Sequence, residues 1–247
     1  MLIEQSAQAN RWRPVCPQAK ALFALAGGVA AYLAASPAAA LLLALLMVAL
    51  VVGGARVPLW RYLRVLAAPL AFLALGAVSL LLSFDVETGG MRWAPGGGAP
   101  VALTLGRALA AVTALLLLAL TTPLSDVVSL LRRWRAPETL IDLMVVGYRM
   151  LFVLAEAKRD IAAAQAARQG YASLSRSWRS VGILFGALAV DVWCRAADLH
   201  AAAQARNGDG PLRFLERPWP AARRELCIAA LAAATLLAGV LFHRGVG

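Results

Sequence analysis

Five stretches of this 247-residue chain are apolar over a length that spans, or nearly spans, a lipid bilayer, and no other feature restricts its fold so strongly. A membrane-crossing helix needs about 20 mostly apolar residues, with a range of roughly 17–25. Ala21–Ser36 is slightly short, and Pro37 marks a tight turn into Ala38–Ala55. Val65–Phe84 follows with Pro69 as a kink, then Val101–Thr122 and Leu226–Phe242. The spacing therefore predicts an all-α integral membrane protein with about five transmembrane helices. Composition agrees: 61% of the residues are hydrophobic and only 15% charged, against about 25% charged in ordinary soluble domains.

Charge sets an expected orientation. The 24 Lys and Arg outnumber the 13 Asp and Glu, and only Lys20 and Lys158 are lysines. In a soluble chain such an excess suggests nucleic acid; beside membrane spans it reads as the positive-inside bias, so no nucleic-acid partner is expected. Arg11, Arg13 and Lys20 precede the first window, and Arg56, Arg61 and Arg64 separate the second from the third. Arg132, Arg133 and Arg135 follow the fourth, and Arg213, Arg217, Arg223 and Arg224 precede the fifth. The opposite loops hold only Arg92 and Arg244. A cytoplasmic N-terminus (1–20), four spans in 21–122, a cytoplasmic region at 123–225 and a last span in 226–247 follow, with the C-terminus outside. The Gly/Pro-rich segment Asp85–Pro100 reads as an external loop without regular structure. No apolar signal-peptide core occurs before Lys20, so the first span is expected to be retained. Arg107, six residues into its window, is read as snorkelling to the outer interface.

Pro123–Glu225 is unlike the rest. Its 103 residues carry 15 Arg/Lys and 10 Asp/Glu among long alanine-rich runs. Thr122-Pro123 reads as an N-cap and first helical residue opening a short amphipathic helix to Trp134. Pro137-Glu138 opens a second helix that runs to Arg168 and stops at Gly170. A third begins near Ser175–Ser177, runs to Arg206 and stops at Gly208. Both long helices begin with an apolar half, Leu140–Leu154 and Val181–Cys194, too short to span and suited to lying against the membrane domain. Such helices suggest an interaction surface rather than an active site.

The two long helices end in nearly the same words: AAAQAARQG at Ala162–Gly170 and AAAQARNG at Ala201–Gly208. Arg168 and Arg206 each stand two residues before a glycine. One reading is helix capping alone, with arginine in the last turn and glycine in the left-handed cap position. The other is docking: Ala167 and Ala205 leave room for a partner to close around a guanidinium, whose rigid fork suits a carboxylate.

These endings resemble those of the transmembrane T component of energy-coupling factor (ECF) transporters, and their wording is similar to its cobalt/nickel, CbiQ-like branch. Thr121-Thr122-Pro123 with Ser125-Asp126 is similar to the family's segment after the fourth span. Tyr148-Arg149, Phe152-Val153-Leu154 and Glu156 resemble its "YR…FVL…E" stretch, and Arg168-Gln169-Gly170-Tyr171 its "R-x-G-Y" form. Ala205-Arg206-Asn207-Gly208-Asp209-Gly210 resembles "ARGYDG", with Asn207 where glycine is usual and Gly208 where an aromatic is usual. The likeness covers Val101–Gly210. It implies a non-catalytic subunit of a bacterial inner-membrane importer, joining a substrate-binding S component to two cytoplasmic ATP-binding subunits. Arg168 and Arg206, with Ala167, Ala205, Gly170 and Gly208, would form the ATPase-docking sites.

Missing motifs point the same way. Neither lysine belongs to a Gly-Lys-Ser/Thr sequence, so a P-loop is excluded and ATP hydrolysis is expected in partners. The histidines, His200 and His243, and the cysteines, Cys16, Cys194 and Cys227, are scattered, so neither a disulfide framework nor a resident metal or other cofactor is expected. A nickel or vitamin T component, a self-contained secondary transporter and a membrane scaffold remain as alternatives.

Overall fold

The computed structural model describes residues 2–85, 90–93, 98–206, 219 and 221–246. Among these, nine α-helices account for nearly all regular structure: α1 (Leu2–Ala9), α2 (Pro17–Leu33), α3 (Pro37–Ala49), α4 (Leu59–Leu81), α5 (Gly98–Thr121), α6 (Leu124–Arg133), α7 (Glu138–Ala167), α8 (Leu174–Ala205) and α9 (Ala222–Val246). A π-helical turn, Leu50–Gly54, extends α3, and a short antiparallel hairpin pairs β1 (Leu82–Asp85) with β2 (Gly90–Trp93). The hairpin corrects the expectation that Asp85–Pro100 holds no regular element. Asp85↔Gly90 is the last pair of its ladder, and such local pairing needs no long apolar signal. Helix α5 also starts at Gly98, three residues before the window read from hydropathy.

Among the described residues five helices are long and apolar enough to cross a membrane: Pro37–Gly54, Leu59–Leu81, Gly98–Thr121, Leu174–Ala205 and Ala222–His243. The protein is an all-α integral membrane protein of the multi-pass kind. Four of these helices coincide with windows read from the sequence. Leu174–Ala205 qualifies by length and composition although only its first half reads as apolar, and the first window lies in α2, which is 17 residues long.

The chain divides into two compact units, Met1–Leu130 with Arg217–Gly247, and Leu131–Glu216. The first unit is built around α2 and α5. Helix α2 packs against both α5 and α9, while α5 also packs against α3 and α4. Small residues make these approaches possible: Ala24, Ala30, Ala31, Ala44, Ala110 and Ala114 are all buried. Gly27 sits where α2 meets α3 and α5, and a β-carbon there would lie 2.5 Å from Met47 Cε and 3.1 Å from Ala114 Cβ. Met47, Tyr62, Leu117 and Leu120 fill the core between them, and many other large side chains face outward. Leu42, Leu45, Phe72, Leu75 and Leu115 are all exposed, as expected where lipid tails rather than water are the solvent.

One end of this unit gathers the polar groups. The N-terminal segment crosses the end of α5, and Asn10 Nδ2 donates to the carbonyls of Ala7 (2.7 Å), Leu120 (3.3 Å) and Thr121 (3.3 Å). Lys20, only 4% exposed, donates from Nζ to Thr121 O at 3.0 Å. A cation is thereby held at the negative end of α5, where orphan carbonyls would otherwise be stranded. Glu225 Oε2, in the first turn of α9, accepts from Cys16 N at 2.6 Å, and Arg11 N donates to Ala55 O at 3.1 Å. At α2's other end, Arg107 Nε donates to Ala34 O at 2.9 Å. Arg107 therefore caps a neighbouring helix instead of simply reaching for the interface.

Candidate functional site

The second unit places the candidate arginines. Its helices α7 and α8, 30 and 32 residues long, are joined by the short connection Arg168–Ser173. Both α6 and α7 start one residue later than their prolines suggest. Pro137 is the N-cap of α7 rather than its first helical residue, contributing a carbonyl to Leu140 N and Ile141 N. Pro123 O likewise accepts from Asp126 N and Val127 N. Thr122 Oγ1 has no hydrogen-bond partner, so Thr122 is not the side-chain cap its position suggests.

Helix α7 ends in a complete Schellman turn. Arg168 is the C-cap residue at φ −94°, ψ 18°, and Gln169 takes the left-handed conformation at φ 55°. Gln169 N donates to Ala166 O at 3.0 Å and Gly170 N to Gln165 O at 2.8 Å, the two crossed bonds of the motif. This corrects the expectation for Gly170: the left-handed position belongs to Gln169. Gly170 is required by space instead. A β-carbon there would lie 2.7 Å from Ser180 Oγ and 2.9 Å from Gln165 O.

The turn is fastened to α8 by side chains that the sequence pattern did not single out. Gln165 Nε2 donates to Ser180 O at 3.0 Å, while its Oε1 accepts from Tyr171 OH at 2.7 Å. Ser180 Oγ donates to Gly170 O at 2.8 Å, and Ser173 Oγ caps α8 by accepting from Arg176 N at 3.3 Å. Ser180 is buried; Ala167 and Arg168 are exposed. The arginine thus stands on the outside of a pinned corner, with an alanine beside it.

Helix α8 ends alike. Arg206 is its C-cap residue at φ −102°, ψ 13°, exposed and preceded by exposed Ala205. Arg206 N donates to Ala203 O at 3.1 Å. Gly208, with Asn207, lies outside the described residues. Because Arg168 lies beside the start of α8 and Arg206 at its end, the 32 residues of α8 separate the two arginines by roughly 48 Å at about 1.5 Å per residue. They form two separate points rather than one site.

Between these corners, α7 and α8 line a cavity of about 430 Å³ with Glu156, Asp160, Asp191 and Arg195 among its walls. Asp191 and Arg195 pair along α8 at 2.8 Å, the i,i+4 arrangement expected from their spacing. Tyr148 and Phe152 stack edge to face at 4.9 Å on α7. Large apolar side chains are displayed on both helices: Leu143, Leu151, Trp178, Phe185 and Trp193 are each more than 60% exposed. Among the described residues no group of three His, Cys, Asp or Glu side chains is arranged to hold a metal ion.

Comparison with known proteins supplies a family for the chain. A family model for CbiQ, described as a cobalt transport protein, matches residues 9–215, which include both arginines. The cobalt transport protein CbiQ of Rhodobacter capsulatus is 40% identical over 189 residues, 76% of this chain and 77% of that protein. CbiQ of Salmonella typhimurium is 30% identical over 197 residues, 75% and 87% of the two chains. A protein of Methanocorpusculum labreanum named as a fused cobalt transport protein, CbiMQ, is 27% identical over 232 residues, 87% of this chain but 38% of its own length. With its membrane-spanning helices, its paired helix endings and a family match over most of its length, the chain belongs to the CbiQ family of cobalt transport proteins.

Proposed function

We propose that this chain is the T, or energy-coupling, component of an ECF-type importer for cobalt ions, joining two cytoplasmic ATP-binding subunits to a substrate-binding membrane component. The observation that carries the reading is the pair of exposed arginines at Arg168 and Arg206. Both hold the same C-cap conformation on two long helices, with small alanines beside them. A guanidinium presented this way suits a carboxylate in a partner's groove, through two parallel hydrogen bonds. Ala167, Ala205, Gly170 and Gly208 complete the two docking sites in this reading, the alanines by leaving room and Gly170 by letting the corner close against Ser180.

Cobalt is the substrate of the transport system in this reading, since the matching family is described by that ion. ATP is hydrolysed in partners, because neither Lys20 nor Lys158 stands in a P-loop sequence. The name of the fused relative favours a second membrane component working beside this one. In the membrane, α2, α3, α4, α5 and α9 form the spanning domain, with the Lys20 end of that unit cytoplasmic and residues 123–225 exposed to the ATPases. The excess of arginine at that end supports this orientation. Purification of the full chain in mild detergent, with identification of every co-purifying subunit, tests the reading. Two copies of ATP-binding subunit and a further membrane protein are expected; recovery of the chain without an ATPase would defeat it.

A further inference from the structure

The two helix endings differ by one residue, and that residue changes what each arginine stands on. In α7, glutamine lies three positions before the arginine, at Gln165; in α8, it lies two positions before, at Gln204. One residue rotates a side chain by about 100° around a helix of 3.6 residues per turn. Gln165 accordingly reaches across to α8, donating to Ser180 O at 3.0 Å and accepting from Tyr171 OH at 2.7 Å. Gln204 lies 3.1 Å from His200 Nε2, one turn back along its own helix. Ala203 holds the place that corresponds to Gln165 and has no side chain to reach with.

We infer that Gln165 is a positioning residue for Arg168: by tying the end of α7 to Ser180 and Tyr171 it holds the Arg168 corner in its docking geometry before a partner arrives. This rests on the docking role proposed for Arg168 and adds to it. Three features make the corner a built one. Both ends of the Gln165 amide are used, so the side chain has one orientation. Ser180 Oγ closes onto Gly170 O at 2.8 Å, so the chain beyond the left-handed Gln169 is fastened as well. Gly170 leaves no room for a β-carbon between Gln165 O and Ser180 Oγ. An arginine on such a corner loses little backbone freedom on binding, and pre-organisation of this kind is gained as affinity. Among the described residues the ending at Arg206 shows no equivalent cross-helix amide, because Gln204 faces along its own helix.

The test is a double-mutant cycle on the full chain, with capture of its ATP-binding subunits as one readout. The mobility of a nitroxide at Ala172→Cys, in a background with Cys194 and Cys227 changed to serine, is the other. Gln165→Ala is expected to weaken capture about tenfold, equivalent to roughly 1.4 kcal/mol, and to mobilise the label. It should cost nothing further in an Arg168→Ala background, and its full tenfold in an Arg206→Ala background. Gln165→Glu, which keeps the acceptor for Tyr171 but loses the donor to Ser180, should fall between. An equal loss on top of Arg168→Ala would mean general loosening of the hairpin and overturn the inference. Wild-type capture by Gln165→Ala, with Arg168→Ala impaired, would overturn it while leaving the docking role intact. Wild-type capture by Arg168→Ala would remove the docking role and the inference together.

Discussion

The two units of this molecule solve opposite problems. In the Lys20 unit the polar groups are turned inward and used: Lys20 and Asn10 close the end of α5, Arg107 closes α2, and Glu225 takes the amide of Cys16. Its core sets alanines and Gly27 against Met47, Tyr62, Leu117 and Leu120, with many other leucines left outside for lipid. In the α7–α8 hairpin almost nothing is buried except Ile141, Ser180 and Leu184, and tryptophans and arginines share the exposed surface. Exposed apolar patches of that kind mark surfaces that something else covers. On the function proposed above, one unit is complete once in lipid and the other is shaped by what it meets. Substitutions should therefore separate cleanly, those in the first unit changing stability and those in the second changing association.

The sharpest test of that division is the double substitution Arg168→Ala/Arg206→Ala. Breaking a buried Arg–carboxylate contact costs about 3–5 kcal/mol, since the partner's charge is left unpaired. Transport and ATPase association are expected to be lost, with the thermal unfolding of the purified chain unchanged. If unfolding shifts in parallel, both arginines act as helix caps, worth roughly 0.3–1 kcal/mol each, and the contrast between the units disappears. Lysine at either position should restore association only in part, because it keeps the charge and loses the fork.

Next in size is Lys20→Met in the first unit. The substitution keeps the apolar stem and removes one charged donor from a buried carbonyl, costing about 1.5–3 kcal/mol. A lower unfolding midpoint in detergent is expected, with ATPase capture per folded molecule unaltered. Gly27→Ala should act the same way and more weakly, by about 1 kcal/mol, because the added β-carbon meets the flexible end of Met47 before it meets Ala114. Loss of capture without loss of stability in either variant would contradict the division.

How far the sequence revealed this arrangement depends on the range of the interaction concerned. Helix limits in the second unit were legible because their causes are local. A proline opens α7 and the Arg-x-Gly words mark the ends of α7 and α8, whereas the start of α8, expected near Ser175–Ser177, falls at Leu174 behind the Ser173 cap. The role of Gly170 was not legible, since a glycine after an arginine reads equally as a left-handed cap or as a place of close approach. Only the position of Ser180, ten residues on, decides between them. Lys20 reads as one more cytoplasmic charge until its carbonyl partner, 101 residues away, is known. The offset between Gln165 and Gln204 was visible as letters, but its meaning requires the rotation around the helix and a neighbour to reach. The likeness between the two endings concealed the difference that gives Gln165 its cross-helix bonds.

The smallest expected effect on stability is also the one that decides what covers α8. Trp193 is 79% exposed, so Trp193→Ser removes little packing, and such surface changes usually stay within about 0.5 kcal/mol. Unfolding in detergent should be unchanged while assembly with the membrane partner weakens. The neighbouring thiol supplies the complementary measurement. Cys194 is free and exposed, and it lies about two-thirds of the way along the Leu174–Ala205 helix, whose length and composition would also allow it to cross a bilayer. If residues 123–225 are cytoplasmic, a membrane-impermeant maleimide should label Cys194 in inside-out vesicles, with Cys227 changed to serine, and fail to label it in right-side-out ones. A helix that crosses the bilayer would hold that thiol within the hydrocarbon, where neither preparation labels it. The exposed tryptophans would then face lipid, as the leucines of the first unit do, and the contrast between the units would narrow to the two arginine corners.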